Sequence, residues 1–141
     1  MAGKSDFTNE EWETLHKGVT GSGLLVSVSD RSFFDSFKEA GALAKHLTGA
    51  RQSSSELVRE LAATRGTGFG LTASPTQVEA ETIDALRSAI ATLQAKAPDE
   101  VDPYREFVLD VARSVADAAG GGETAESGAL DKIRSALGAM T

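Results

Sequence analysis

The chain contains no cysteine, which excludes disulfides, thiolate metal centres and cysteine nucleophiles together. Aromatic residues are few, one Trp, one Tyr and six Phe, so any core must be built mainly from aliphatic side chains and alanine. The two histidines, His16 and His46, have no second histidine at a metal-ligand spacing, and each is expected as a half-exposed helix residue. Bases are outnumbered, with 14 Lys and Arg against 21 Asp and Glu, a formal charge of -7. No Lys/Arg stripe is present to neutralise phosphates, which argues against nucleic-acid binding. An anionic membrane surface would repel the chain for the same reason. No apolar run approaches membrane-spanning length, and "MAGKSDFTNEEW" at the N-terminus has no apolar signal core. A soluble, cytoplasmic chain without direct membrane insertion is the expectation.

No segment alternates with period two over a useful length, whereas period-3.6 patterns recur throughout. The 141 residues, 40% of them hydrophobic, suit one domain over residues 1–141 with one core. Thr8 and Glu11 form a capping box before the first helix, Phe7 and Trp12 form its hydrophobic staple, and Trp12, Leu15 and Val19 share its inner face. "TGSG" at 20–23 is expected to interrupt or kink that helix. A second helix is predicted from about Ser32 to Thr48 with Phe33, Phe37, Ala40, Ala44 and Leu47 inside and Leu43 beside them. A third follows Ser53 or Ser54 as cap and buries Leu57, Val58 and Leu61. "TRGTGFGLTASP" at 64–75 reads as a loop from which Phe69 and Leu71 reach the core. Ser74 caps, and Pro75 opens, a long helix to about Lys96 with Ile83, Leu86, Ile90 and Leu93 inside. After "APDEVDP", Asp102 and Pro103 start a helix that buries Tyr104, Phe107, Val108, Val111 and Val115. Thr124 then caps a last helix with Leu130, Ile133, Leu137 and Met140 inside. The fold class is all-α, a bundle of about six to seven helices.

The chain repeats itself. Residues 27–50 shifted by 87 positions match eight of 24 residues without a gap, where composition alone gives roughly two. The matches are Ser27/Ser114, Val28/Val115, Asp30/Asp117, Glu39/Glu126, Gly41/Gly128, Ala42/Ala129, Leu43/Leu130 and Lys45/Lys132. Two helical hairpins related by a pseudo-twofold axis explain this internal duplication, with repeat units of about 7–50 and 103–140 joined by helices within 53–97. Convergent use of cap and core residues in two helices of similar length is the alternative.

The stretch "FVLDVARSVADAAGGGETAESGALDKIRSALG" resembles the closing hairpin of the TerB-like family, named for a tellurite-resistance protein. Asp117, Gly120 to Gly122, Thr124 and Glu126 occupy the places of that hairpin's acid, turn, cap and early Glu. Asp30 to Glu39 resembles the family's opening hairpin. The family's Asp-Gly step stands here as Asp30-Arg31 and Asp117-Ala118, and Phe33-Phe34 replaces a small turn residue. The resemblance implies a duplicated helical bundle and a divalent cation held between acids of the two hairpins. Here those acids are Asp30, Glu39, Asp117 and Glu126, with Asp35 and Glu123 adjacent. Ca²⁺ or Mg²⁺ would suit such all-oxygen ligands. The residues by themselves allow a second account of Glu123 and Glu126, since acids at a helix start interact favourably with its dipole. Asp30 and Asp117 fall near helix carboxyl ends, where that account does not reach. An EF-hand is excluded, because counting from Asp30 as position one places Phe34 at five and Gly41 at twelve.

Other signals are weaker. "GTGFG" at 66–70 has the look of a phosphate loop, but no strand precedes it and no Lys follows. Nothing resembles a Ser-His-Asp nucleophile turn. Asp99, Glu100, Asp102, Glu106 and Asp110 form an acidic face, solvated or open to a basic partner. The reading is a non-enzymatic binding or sensing module, whose place in bacterial stress physiology the resemblance implies; another protein or a second copy is the expected partner. The alternative is a scaffold that packs Ala/Gly-rich helix faces against a partner or itself. An enzyme using paired carboxylates is the remote third reading.

Overall fold

The computed structural model describes residues 4–27, 55–63, 74–118 and 124–138. Within these residues the chain is all-helical, with five α-helices: α1 (Asn9–Ser27), α2 (Glu56–Ala63), α3 (Pro75–Lys96), α4 (Val101–Ala118) and α5 (Thr124–Leu137). Short 3-10 turns occupy Lys4–Asp6 and Pro98–Glu100. The helix expected over 32–48, His46, the loop residues Phe69 and Leu71, the "GTGFG" stretch and Met140 lie outside the described residues.

Helix α1 begins as its sequence requires. Thr8 N–H donates to Glu11 Oε1 at 2.9 Å, and Glu11 N–H donates to Thr8 Oγ1 at 3.1 Å, a reciprocal capping box. Phe7 and Trp12 close the staple with ring centroids 6.2 Å apart. The expected break at 20–23 is absent, and α1 runs unbroken to Ser27. Every residue from Gly18 to Val26 is buried, so this half of the helix is enclosed on all sides. Its hydroxyls are satisfied within the helix: Thr20 Oγ1 donates to His16 O at 3.1 Å and Ser22 Oγ to Gly18 O at 2.6 Å. The small residues therefore mark close helix packing, and the enclosing core compensates their poor helix propensity.

Helix α3 runs antiparallel to α1, since Glu11 pairs with Lys96 and Lys17 with Glu81. Ser74 caps α3 by accepting the Gln77 N–H at 3.1 Å, with Pro75 at the first helical position. The inward face of α3 comprises Val78, Thr82, Ala85, Leu86, Ala89, Ile90 and Leu93, while Ile83 is only partly buried. The Pro98–Glu100 turn leads directly into α4, which starts at Val101 instead of Asp102. Tyr104, Phe107, Val108, Val111 and Val115 are all buried, as their spacing predicts. On α5, Ile133 and Leu137 are buried and Leu130 is partly so. Gly138 ends α5 in the left-handed region, φ 71°, where a glycine carries no side-chain penalty.

Two polar contacts tie these helices together. Tyr104 Oη donates to Leu15 O at 2.7 Å, across 89 positions of chain. Gly18 makes that approach possible, because a Cβ there would overlap the Tyr104 hydroxyl and stand 3.0 Å from Leu86 Cδ2. The second contact fixes α2. Its cap is Ser55 and not Ser53 or Ser54: Ser55 Oγ accepts the Val58 N–H at 3.2 Å and donates to Glu100 Oε2 at 2.7 Å. Glu100 is consequently buried, against its expected place on a solvated acidic face. His16 is buried as well, since 12, 15, 16 and 19 form one helical stripe.

Replacing Gly18 by Ala gains about 1 kcal/mol of helix propensity, but overpacking a site this tight costs about 1–3 kcal/mol. Tyr104 is pinned by its hydrogen bond and cannot step aside, so G18A lowers the urea midpoint. Y104F loses about 1 kcal/mol and also removes the overlapping atom. The double variant is then less destabilised than the sum of the singles, by at least about 0.5 kcal/mol in urea unfolding. Strict additivity would contradict the close approach.

Candidate functional site

Helices α4 and α5 form an antiparallel hairpin. Arg105, in the second turn of α4, donates from Nε to the Leu137 carbonyl that ends α5, at 2.9 Å. This closes one end of the hairpin, where the cation also meets the negative pole of α5. The other end carries Asp117, the second-last residue of α4, and Glu126, the third residue of α5. Five residues, 119–123, separate the two helices, so the fold brings these two acid-bearing backbones to the same end of the hairpin. Asp30, Glu39, Asp35 and Glu123 lie outside the described residues. The backbone thus runs two of the four expected acid positions, 117 and 126, to one hairpin end. A hard divalent cation takes six to eight oxygens for Ca²⁺ or six for Mg²⁺, and two carboxylates alone are too few. The remaining ligands would have to come from the first copy of the repeat, from carbonyls or from water. Among the described residues no group of three or more His, Asp or Glu could hold a metal ion.

The acidic face near the second break divides in the structure. Asp102 pairs with Arg105 at 3.2 Å and Asp110 with Arg113 at 3.7 Å, both one helical turn apart. Asp99 and Glu106 are exposed. Such exposed pairs contribute little to stability and leave the outward side of α4 alternating in charge instead of uniformly negative. Glu100 is withdrawn from this face by Ser55. Sequence reading misses that role because a buried acid is recognisable only by its distant partner. The one local hint is a serine immediately before the start of α2.

Across α1 and α3 the electrostatics serve cohesion. Lys96 reaches Glu11 at 2.5 Å and lies 5.9 Å from the Phe7 ring centroid, joining the end of α3 to the start of α1. The Lys96 ammonium, followed by the Thr8 backbone, holds the Glu11 carboxyl below its ordinary range. Lys17 and then Gln77 do the same for Glu81. Burial pushes the Tyr104 phenol far above its usual range, so it remains a neutral donor to Leu15 O. Among the described residues no helix is long and apolar enough to cross a membrane.

The lowered carboxyl of Glu81 gives a pH dependence of known sign. Its contribution to stability is full above the ordinary value of 4.5 and is lost as pH falls through the lower folded-state value. Urea midpoints of the native chain and E81Q therefore differ at pH 7 and converge as the medium is acidified below that range. A gap of constant size would separate the effect from carboxylate ionisation.

Comparison with models of known protein families, with curated protein sequences and with solved structures finds no match in any of the three.

Proposed function

We propose that this chain is a non-enzymatic, acidic helical binding or sensing module of the TerB-like kind. In this reading it is an internally duplicated bundle of six to seven helices, and a divalent cation is held between carboxylates of its two hairpins. The observation that carries the reading is the antiparallel α4–α5 hairpin, closed at one end by the contact of Arg105 with Leu137. That arrangement supports the reading, since the backbone at positions 117 and 126 lies at the opposite end. An acid near a helix carboxyl terminus opposes the dipole, so Asp117 has a local electrostatic cost that a bound cation would offset. Asp30 and Glu39, their counterparts in the first copy, complete the four-carboxylate set. The module's role in a bacterial stress response follows from the family resemblance, and its partner is another protein or a second copy of the chain.

The competing scaffold reading needs small-residue faces open to a partner. Gly18, Gly21, Gly23, Ala85, Ala89, Ala112 and Ala136 are instead buried within the chain's own core, which favours the first reading for the described helices.

The test is a thermal melt of chelator-stripped protein with and without millimolar Ca²⁺, Mg²⁺, Mn²⁺ or Zn²⁺. It is repeated with D30N, D117N and E126Q. Binding to the native state alone stabilises by about 2.7 kcal/mol at a hundredfold excess over Kd. The expected outcome is a cation-specific rise in Tm that all three variants lose. Equal melting with and without every cation, together with unchanged or higher Tm in the variants, would reduce the repeated acids to surface charge.

A further inference from the structure

Helices α3 and α5 meet along a seam that opens into a groove of about 290 Å³, lined by Ile83, Arg87, Asp131, Lys132 and Ser135. Ile83 packs against the core and offers its remaining surface to the groove. The cations here converge through tertiary structure, since Arg87 and Lys132 belong to different helices. Almost every described Lys or Arg side chain is committed elsewhere. Lys17, Lys96, Arg105, Arg113, Lys132 and Arg134 each pair with an acid, and Arg59 is also engaged. Arg87 forms no ion pair among the described residues, although the chain carries a formal charge of -7. Asp84, one turn before it, does not engage it. Asp131, across the groove, pairs instead with Arg134 at 3.5 Å. The result is an exposed, uncommitted guanidinium beside an apolar contact.

We propose that this groove binds a single carboxylate carried on a short apolar body. Arg87 grips the carboxylate through its planar fork of donors, a geometry that carboxylates match in bidentate fashion. Lys132, shared with Glu79, supplies a second and weaker attraction, and Ile83 receives the apolar body. Asp131 and Glu79 beside the groove, with the acidic charge of the whole chain, select against multiply charged phosphates. The volume falls at the small end of ligand sites and matches one such group. The carboxylate comes either from a small free acid or from the C-terminus of a peptide.

The test follows backbone amide shifts of the full chain, ¹⁵N-labelled, on titration with 4-methylpentanoate and with N-acetyl-alanyl-leucine. The C-terminal amide of the same peptide serves as a control. Saturable shifts at Ile83, Arg87, Lys132 and Ser135 are expected with the carboxylates and not with the amide. R87Q weakens binding by about tenfold or more, as loss of a charge-assisted bidentate contact requires. D131N tightens it, and added salt weakens it. Arg87 is exposed, so unchanged shifts elsewhere in R87Q verify that the fold is intact. Tighter binding of the peptide acid identifies a peptide terminus as the source, and tighter binding of the free acid identifies a small molecule. Absence of saturable shifts, equal binding of the amide, or unaltered affinity in R87Q would each overturn the proposal.

Discussion

The hydrogen bond from Tyr104 to the Leu15 carbonyl sets the spacing on which the rest of the bundle depends. It draws the first turns of α4 against the middle of α1 at a place where Gly18 has no side chain to resist. Leu86 of α3 enters the same gap, so one missing Cβ lets three helices meet. Close approach raises the number of favourable dispersion contacts available to each neighbouring side chain. It also explains how a chain with so few aromatics fills its interior, since backbone and alanine can occupy volume that bulky residues would otherwise take. The phenol has nowhere else to go: it is fully buried, and its hydroxyl would be costly without an acceptor.

Polar groups inside this core divide between those that join elements and those that serve their own helix. Tyr104 and Glu100 join, the first α4 to α1 and the second the Pro98–Glu100 turn to the cap of α2. Thr20 and Ser22 return their hydroxyls to carbonyls one turn back in α1. Thr82 is fully buried, and its hydroxyl has no partner among the described residues. The Ser55–Glu100 contact is the more demanding of the joining pair. A single hydroxyl both accepts from the start of α2 and donates to a buried acid, and its loss would leave both groups short of a partner.

Much of the fold is legible in the sequence where the signal is local. The capping box at Thr8 and Glu11, the Ser74-Pro75 start and the apolar stripes of α3 and α4 all depend on residues within a few positions of one another. What is not local misleads. "TGSG" reads as a break because glycine and serine disfavour an isolated helix, yet α1 is enclosed on every side there and its packing outweighs propensity. Ser53 and Ser54 look as good as Ser55 until Glu100 arrives from 45 residues away. His16 seems half-exposed if the inner face is drawn as 12, 15 and 19 and its fourth member is left out. For the candidate site, the repeat picks out Asp117 and Glu126, and the hairpin gives them a common end. Nothing within α3 alone, by contrast, marks Arg87, whose isolation is a property of which acids its neighbours use.

The enclosure of α1 has a consequence for the order in which structure forms. Among the described helices the most completely surrounded is also the first, and its main described neighbours are α3 and α4. During synthesis the part of its surface that α4 covers must therefore wait until the chain has reached at least Tyr104. Short-range contacts, which let most helical bundles fold quickly, cannot complete this one. Until then the part of α1 that α4 covers stays exposed, the kind of surface through which nascent chains associate wrongly or engage chaperones. The capping box and staple at its start would hold it helical, while the α3 and α4 contacts that help to bury it come from residue 75 onward.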